Sequence, residues 1–429
     1  MARAKKEAAL TPEERLQAAL VPDWEWPYKL PENWCWVYAP HIFDIEYGKG
    51  LPTKQLSDTG YPVFGANGQI GFYSEYMYKE PQALMSCRGA YSGTMNKSLP
   101  YSYVTSNSLI ISSPRGLMGT DCIYYLFSAL NVSELISGTA QPQVTVQAFD
   151  GFPIPLSPLA EQQRIVDRIK SLFTKLDEAK EKVQAVVDSY ETRKAAILHK
   201  AFTGELTAKW REEHGVSIDN WKTNRFDSVA AIRSNLVDPA EYQGFPHIGP
   251  DNIEKKTGVL LEYHTIAEDG VTSGKHRFYS GQILYSKIRP YLSKAVVVDF
   301  DGLCSADMYP IEAYQNARCL WYYMLSDEFL LQASTAGSRS VLPKINQKEL
   351  SALTVHLPTN DREQGEIARI LDEFFDKEQQ SKEAAEAVLD QIDLMKKSIL
   401  ACAFRGELGT NDPNEESAVE LLNDIIRRG

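Results

Sequence analysis

The sequence lacks the residue patterns of several metal and redox protein classes. Its 429 residues include six cysteines and seven histidines, with no CxxC pair and no cluster of the two residue types. This spacing argues against zinc ribbons and redox-active pairs. It predicts reduced, buried thiols and no metal site.

Several catalytic motifs are also missing. The chain contains no Pro-Pro, so it cannot carry the Asn/Asp/Ser-Pro-Pro-Tyr/Phe tetrapeptide of amino-methyltransferases. HExxH and GxSxG are absent, and Gly274-Lys275 lacks the glycine of a Walker A loop. Only Pro250-Asp251 with Glu254-Lys255-Lys256 weakly resembles a nuclease motif, without room for the separating strand. These absences favour a binding protein over an enzyme.

No apolar run reaches the roughly 18 to 20 residues of a membrane span, and residues 1–20 are charged throughout. We therefore expect a cytoplasmic protein that does not enter a membrane. The net charge of -12 is unevenly distributed, because residues 351–429 hold nine Lys or Arg against 17 Asp or Glu. Eight of the twelve excess negative charges lie there, so the total charge does not decide whether the partner is a nucleic acid.

A long internal repeat is the strongest feature present. Residues 161–206 align without a gap on residues 363–408, and 18 of the 46 positions are identical. The two copies end in AFTGEL and AFRGEL. Apolar residues recur at alternating spacings of three and four, which indicates two long helices with a coiled-coil seam. The predicted seam is formed by Ile165, Ile169, Leu172, Leu176, Val183, Val186, Tyr190, Ile197, Ile367, Leu371, Phe374, Val388, Ile392 and Ile399.

Each predicted helix has about 45 residues and needs a partner for its apolar stripe. The other copy is the nearest candidate, and the two helices could pair parallel or antiparallel. Antiparallel pairing would relate the two halves by a pseudo-twofold axis. Pro158 can open the first helix, and Gly204 and Gly406 can end the two helices. The acidic stretch 411–420 is predicted to be mobile before a short last helix.

The regions between the helices are β-rich and resemble each other. They hold 20 of the 22 tyrosines. ALMSCRGAY at 83–91 matches ILYSKIRPY at 283–291, and GTAQPQV at 138–144 stands opposite GSRSVLPKI at 337–345. LTPEERLQ at 10–17 resembles LTAKWREE at 206–213, which follows the first GEL. The N-terminal segment thus resembles the segment that follows the first long helix. We therefore expect the N-terminus to meet the C-terminus, which follows the second long helix.

Three sequence features together resemble the specificity subunit of Type I restriction-modification systems. They are WPY at 26–28 followed by LPENWCW, the segment PIPLSPLAEQQRIV at 153–166, and the GEL repeat after a long helix. VHLPTNDREQ at 355–364 departs from the pattern, since it is one residue shorter and lacks the second proline. The resemblance implies an α+β chain with two β-rich target-recognition domains and two long antiparallel, coiled-coil-like helices.

The resemblance also implies function and partners. Such a subunit has no catalysis of its own and binds double-stranded DNA at a bipartite site, one half per recognition domain, while the helices set the spacer. It binds two modification subunits and, through them, restriction subunits that translocate DNA and cut it. This chain would bind no cofactor, whereas S-adenosylmethionine, ATP and Mg would be held by those partner subunits.

The predicted domain boundaries follow the repeat. They comprise an N-terminal helical segment (1–33), a first recognition domain (34–157), a central long helix (158–203), a linker (204–220), a second recognition domain (221–358), a distal long helix (359–405) and an acidic tail with a short helix (406–429).

Candidate DNA contacts were chosen from basic, amide and aromatic residues in the two β-rich regions. Lys287 and Arg289 are predicted to alternate on one strand and point the same way. A charged edge strand is the structural alternative for this cluster, and a simple turn is the alternative for Asn67-Gly68. The candidates are Lys49, Lys54, Asn67, Gln69, Arg88, Tyr91, Lys97, Lys275, Arg277, Lys287, Arg289, Tyr291, Lys294, Arg339 and Lys344.

A different class of protein is compatible with the same pattern. A coiled-coil scaffold whose two β-rich domains bind protein or glycan would also show two long helices and two similar domains. The sequence does not specify a DNA target, because no code relates these residues to bases.

Overall fold

A computed structural model of the chain describes residues 11–336 and 343–428. Contacts divide the chain into two compact units. Unit 1 consists of Met1–Val183 and Val388–Gly429, and unit 2 consists of Gln184–Ala387. Each unit therefore contains one β-rich region together with parts of both long helices.

The helices lie at the ends of the β-rich regions, between them and within them. Those of the described residues are α1 (Pro12–Ala19), α2 (Thr120–Ala129), α3 (Leu159–Asp188), α4 (Tyr190–Phe202), α5 (Ala208–His214), α6 (Ala317–Met324), α7 (Asp327–Ala336), α8 (Gln347–Ala352), α9 (Asp361–Ala403) and α10 (Ala418–Arg428).

The strands are short, as expected for regions rich in turns. Unit 1 has β1 (Cys35–Tyr38), β2 (Asp44–Tyr47), β3 (Tyr61–Gly65), β4 (Gly68–Tyr73), β5 (Ala83–Ser86), β6 (Met95–Lys97), β7 (Tyr103–Val104), β8 (Ser108–Ser112), β9 (Ile136–Ser137), β10 (Gln143–Val144) and β11 (Pro153–Leu156). Unit 2 has β12 (Trp221–Arg225), β13 (Ala230–Ile232), β14 (Leu236–Val237), β15 (Pro246–Ile248), β16 (His264–Thr265), β17 (Lys275–Phe278), β18 (Ile283–Ser286), β19 (Ala295–Val297), β20 (Gly302–Cys304), β21 (Met308–Ala313) and β22 (Thr354–Pro358).

The two β-rich regions share a sheet plan. A four-stranded antiparallel sheet has the order β2-β8-β5-β6 in unit 1 and β13-β21-β18-β19 in unit 2. The strand that opens each region pairs antiparallel with the strand that closes it, β1 with β11 and β12 with β22. The second sheet differs, with three strands in unit 1 and five in unit 2. The shared sheet thus forms a common framework on which the regions differ.

The long helices pair antiparallel within each unit. In unit 1 the start of α3, with Ile165 and Ile169, is buried in one core with Leu400 and Phe404 at the end of α9. In unit 2 the start of α9, with Ile367 and Leu371, shares a core with Leu198 and Phe202 at the end of α4. Because the beginning of one helix meets the end of the other in both units, the predicted antiparallel pairing is confirmed.

Two predicted features of the helices are wrong. The first helix is not continuous, because it is interrupted at Ser189 between α3 and α4, whereas α9 is unbroken. Val186 and Val388, predicted in the seam, are 44% and 45% exposed. A straight α-helix drifts about 20° per heptad from a strict seven-residue repeat, and three heptads separate these valines from Ile165 and Ile367.

A buried carboxylate ties each β-rich region to its helices. In unit 1 Glu161 on α3 accepts hydrogen bonds from Trp34 Nε1 at 2.7 Å, Asn411 Nδ2 at 2.8 Å and Thr410 Oγ1 at 3.1 Å. These partners come from the start of the β-rich region and from the segment after the second GEL. A buried carboxylate needs several hydrogen-bond donors. The repeated Glu-Gln and Asn-Trp motifs therefore form one structural connection between the β-rich region and the helix, which we call the carboxylate joint.

The joint of unit 2 repeats this arrangement and adds a charge. Glu363 on α9 accepts from Trp221 Nε1 at 3.0 Å and Thr207 Oγ1 at 2.9 Å, and Arg211 Nη1 on α5 donates at 2.7 Å. Burial favours the neutral acid, but the hydrogen bonds from Asn220, Arg211, Trp221 and Thr207 hold the pKa of Glu363 below its usual 4.5.

The glycines of the two GEL sequences are required by geometry. Gly204 and Gly406 have φ of +81° and +76°, which glycine adopts at little cost. A Cβ would lie 2.7 Å from Ile218 Cδ1 at Gly204 and 2.3 Å from Pro31 Cγ at Gly406. Each glycine therefore lets the chain end a helix and then pass close to another segment, near Ile218 at Gly204 and near Pro31 at Gly406.

The described N-terminal segment packs against the C-terminal segment, as predicted. Helix α1 contacts α10, and Tyr28 donates a hydrogen bond to the Phe404 carbonyl at 3.0 Å. The prediction that 411–420 is mobile is wrong, because Asn411 bonds Asn33 and Glu161, and Arg164 forms an ion pair with Glu415 at 2.6 Å. The linker at 204–220 also differs from the prediction, since it contains α5.

Candidate nucleic-acid interface

Two loops meet at one end of the four-stranded sheet in unit 1. After β5, Cys87 accepts a hydrogen bond from Val144 N at 3.1 Å, and Gly89 N donates to the Pro142 carbonyl at 2.9 Å. Gly89 has a φ of +77°, which turns the chain before Tyr91. Arg88 is exposed and Tyr91 is 49% exposed. We call residues 87–91 and 142–144 the unit 1 loop pair.

The same construction occurs after β18 in unit 2. Lys287 accepts a hydrogen bond from Ile345 N at 2.9 Å, and Arg289 N donates to the Pro343 carbonyl at 2.8 Å. Tyr291, like Tyr91, is about half exposed, at 47%. Residues 287–291 and 343–345 form the unit 2 loop pair. Equivalent hydrogen bonds thus confirm the predicted match between PQV at 142–144 and PKI at 343–345.

The loop pairs differ at the position of positive φ. Gly89 occupies it in unit 1, and Arg289 occupies it in unit 2 with a φ of +48°. A non-glycine residue in this region is uncommon and costs free energy, and such strain is concentrated at functional sites. The backbone N–H of Arg289 donates a hydrogen bond to Pro343. The guanidinium of Arg289 is exposed and forms no ion pair within the described residues. Arg289 is therefore the strongest candidate for contact with a ligand.

The prediction that Lys287 and Arg289 alternate on one strand is wrong. Strand β18 ends at Ser286, and the turn beyond it separates the two side chains. Lys287 donates to the Ala306 carbonyl at 2.5 Å and lies 5.4 Å from the centre of the Tyr309 ring. Its ammonium is therefore used within the domain, whereas Arg289 remains exposed.

Three more basic candidates of unit 2 are engaged within the protein. Lys275 is buried and donates to Ser273, and burial lowers its pKa. Arg277 lies over the rings of Tyr242, Phe245 and Tyr279. Lys294 donates to the Pro250 carbonyl at 2.6 Å. The structure does not place these side chains with the loop pair as free cations. The sequence could not reveal this, because it does not show which neighbouring or distant residue each cation contacts in the fold.

Lys344 lies in the unit 2 loop pair, and Arg339 lies outside the described residues. Lys344 is exposed and its Nζ is 3.3 Å from Asp307, which also lies 3.8 Å from Lys287. The corresponding residue of unit 1 is the neutral Gln143, which is also exposed. Exposed ion pairs such as Lys344–Asp307 contribute little and can be exchanged for contacts with another molecule.

The remaining unit 1 candidates are spread over several elements. Lys49 and Lys54 are exposed and have no ion pair within the described residues. Asn67 occupies the turn between β3 and β4, as the structural alternative predicted, and Gln69 projects from β4. Lys97 is paired with Asp121 at 2.8 Å. The structure groups Arg88 with Tyr91 and leaves the other candidates apart from that loop pair.

A group of exposed tyrosines in unit 1 was missed by the sequence reasoning. Tyr61 and Tyr101 each contact Tyr76 edge to face, with ring centres 4.9 and 5.2 Å apart. Tyr101 has a φ of +53°. The high density of tyrosine at 73–78 and 101–103 was the available signal. Half-exposed tyrosines of this kind offer amphipathic surface to a ligand.

The structure argues against the nuclease interpretation of 250–256. Among the described residues no group of three His, Cys, Asp or Glu could hold a metal ion. Glu254 accepts a hydrogen bond from Thr257, and Asp251 is fully exposed beside Lys294. No helix of the described residues is long and apolar enough to cross a membrane.

Two β-rich domains that each present an exposed arginine and an exposed tyrosine on equivalent loops, each built on long antiparallel helices, define a class of two-domain recognition subunit. Comparison with known proteins agrees with that class. The family model for the Type I restriction modification DNA specificity domain matches residues 31–187 and 218–389. The chain belongs to this family.

Individual relatives support the assignment. The Type I restriction enzyme EcoDI specificity subunit of Escherichia coli is 33% identical over 405 residues, covering 86% of this chain and 89% of the relative. The EcoKI specificity subunit of Escherichia coli K12 is 25% identical over 331 residues, covering 68% of each chain. The family-model match covers both β-rich domains, so the family extends over the repeat.

Two solved structures show the same fold. The HsdS subunit from Thermoanaerobacter tengcongensis aligns with a TM-score of 0.55 and 18% identity, covering 89% of this chain and 99% of that chain. A chain from a study of complex assembly and conformational transition in the type I R-M system aligns with a TM-score of 0.66 and 19% identity, covering 89% of this chain and 100% of that chain. The scaffold alternative with protein- or glycan-binding domains finds no support.

Proposed function

We propose that this chain is the non-catalytic DNA-recognition subunit of a Type I restriction-modification complex, working in the cytoplasm with its DNA. Each recognition domain reads one half of a bipartite duplex site through its loop pair. The observation that carries the proposal is the repetition of the loop pair, with an exposed arginine and an exposed tyrosine in both units. Arginine can bond guanine in the major groove or bind phosphate.

The differences between the loop pairs suit different half-sites. Unit 1 offers Arg88, Gln143 and Tyr91, and unit 2 offers Arg289, Lys344 and Tyr291. An amide suits adenine, and a cation suits guanine or phosphate. Two domains with one framework and different contact residues would read two different sequences.

The helices offer docking surface for two copies of one partner. Val186 and Val388 occupy equivalent positions of the repeat and are both exposed. Two equivalent exposed valines suit the docking of two modification subunits, through which restriction subunits would join. S-adenosylmethionine, ATP and Mg would be held by those partners and not by this chain.

The near-neutral charge of both recognition domains suggests modest affinity for DNA by the isolated chain, because non-specific attraction scales with the phosphates neutralised. Tight binding would then require the modification subunits to close around the duplex. Fluorescence anisotropy at one fixed salt concentration compares the two. Equal affinity of the isolated chain and of the assembled methyltransferase would contradict this part of the proposal.

One experiment tests the main proposal. Methylome sequencing of cells that carry this chain with its modification subunit should reveal a bipartite motif. A seven-residue insertion after Gln184 together with one after Glu386 keeps the seam in phase and adds about 10 Å of helix, or about three base pairs. We expect a longer spacer between unchanged half-sites. Changed half-sites with the original spacer would sink the proposal.

A further inference from the structure

A second interface, between each β-rich domain and a long helix, uses corresponding residues in both units, with ion pairs of opposite sign. In unit 1, Tyr125 on α2 meets Phe173 on α3, with ring centres 5.9 Å apart. In unit 2, Tyr322 on α6 meets Phe375 on α9 at 5.4 Å. Phe173 and Phe375 are equivalent in the helical repeat, and Tyr125 and Tyr322 end the matched CIYY and CLWY sequences.

An ion pair lies beside each aromatic contact. In unit 1 the domain supplies the acid, since Asp121 pairs with Lys170 of α3 and with Lys97 at 2.8 Å. In unit 2 the helix supplies the acid, since Arg318 donates to Asp372 of α9 at 2.6 Å. The Tyr322 hydroxyl also donates to Asp372, at 2.5 Å.

The positions correspond one to one. Asp121 and Arg318 each stand one residue before the cysteine of the matched sequences, and Lys170 and Asp372 differ by the repeat offset of 202. The two units therefore use corresponding positions with opposite polarity, although the rings meet edge to face in unit 1 and stack in unit 2. All four side chains are partly exposed, so these pairs contribute little to stability alone.

The inversion matters because the two helices are similar enough to compete. They are identical at 18 of 46 positions, and both offer a phenylalanine for the domain's tyrosine. If unit 1's domain docked on α9, Asp121 would face Asp372. If unit 2's domain docked on α3, Arg318 would face Lys170. Like charges at this distance repel, and the repulsion penalises both wrong arrangements.

We propose that the inverted ion pair is a charge code that directs each recognition domain to its own helix segment and disfavours docking on the equivalent segment of the repeat. The code limits exchange of domains during folding and between copies of the chain. It also determines which foreign recognition domain each position accepts. A domain with an acid at the position of Asp121 fits α3, and one with a base at the position of Arg318 fits α9. The proposal does not depend on how the loop pairs read DNA.

Charge reversal in the full chain tests the code. The helix-side double variant Lys170→Asp with Asp372→Lys creates like-charge contacts in both units. The domain-side variant Asp121→Arg with Arg318→Asp does the same. Amide exchange of α2 and α6, followed by mass spectrometry, should become about 5- to 30-fold faster in each double variant. The variant with all four changes should return to within about threefold of the parent.

A matched control reverses charges elsewhere on the same helices. Lys175→Asp with Asp376→Lys changes the same residue types at exposed positions without touching Asp121 or Arg318, and it should leave the exchange of α2 and α6 unchanged. Lys97→Ala, combined with each variant, accounts for the second partner of Asp121. Failure of the four-fold variant to recover, or an equal effect of the control, overturns the proposal.

A chimera gives an independent test. In the full chain, residues 34–157 replace 221–358, so that an Asp121-bearing domain faces α9. Asp372→Lys should raise the melting temperature of this chimera and lower that of the parent chain. An effect of the same sign in both proteins would overturn the code. The charge-reversal variants keep the proposal testable if the chimera does not fold.

Discussion

The two units use one framework to hold different surfaces. The four-stranded sheet, the opening and closing strand pair, the carboxylate joint and the loop pair recur in both units. The second sheet, the residue at the positive φ and the ionic partner of the joint differ. The repeated sheet, strand pair and joint position the domain on its helices and hold the loop pair, and the differing parts include the residues exposed on the loops. Function can therefore diverge without disturbing the attachment.

The carboxylate joints should show the largest difference in stability. Glu363→Ala leaves the Arg211 guanidinium buried without its carboxylate, so we expect unit 2 to lose about 3–5 kcal/mol. Glu161→Ala leaves only neutral donors unpaired and should cost unit 1 about 1–3 kcal/mol. Urea unfolding monitored by amide exchange in each unit measures both losses.

A control substitution lies on the same helix as Glu363. Glu366→Ala removes an exposed pair with Arg369 and should cost less than about 1 kcal/mol. Equal losses for Glu363 and Glu366 would contradict this account.

Low pH should distinguish the two units through the carboxylate joint of unit 2. The pKa of Glu363 lies below its usual 4.5 because burial is outweighed by hydrogen bonds. A depressed folded-state pKa means that the stabilisation is present above pH 4.5 and is lost as the pH falls through the lower folded value. The protection of unit 2 amides, taken relative to the intrinsic exchange rate at each pH between 3 and 7, should fall below pH 4.5. Glu363→Gln should flatten this dependence, and an unchanged profile in that variant would assign the acid sensitivity to other groups.

Arginines of the loop pairs should act on separate halves of the DNA site. Arg289→Ala should weaken binding by about 1–3 kcal/mol and relax one half-site, and Arg88→Ala should relax the other. Binding of the assembled methyltransferase to duplexes with single substitutions measures each effect. If either substitution relaxes both half-sites equally, the assignment of one half-site per domain is wrong.

Isolated surface lysines should have the smallest effect. Lys54→Ala should weaken binding uniformly across DNA sequences and reduce the slope of log affinity against log salt by about one. Lys209→Ala, on exposed helix α5 outside the β-rich domains, serves as the control and should leave the slope unchanged. A change of sequence preference in Lys54→Ala would instead identify this residue as a base contact.

Prediction from the sequence succeeded where a pattern repeats over many residues. Eighteen identities over 46 positions predicted the paired helices, and the matched strand and loop sequences predicted two similar domains. Prediction failed where a single tertiary contact decides whether a side chain is free to bind a ligand. Lys275, Arg277, Lys287 and Lys294 were equivalent candidates in sequence, but each is engaged by another residue of the folded chain. The break at Ser189 likewise has no warning in the repeat, because the equivalent Gln391 lies within an unbroken helix.

The sequence by itself determined the family resemblance, the two long paired helices and the meeting of the described chain ends, because periodicity and repetition can be read along a chain without folding. The antiparallel sense of the helices followed from the family resemblance. Only the tertiary structure decided which cations remain exposed, that Glu161 and Glu363 are the buried joints, and that the docking charges of the two units are inverted. These properties depend on the distances between residues far apart in the chain. Burial and pairing arise only when folding brings those residues together.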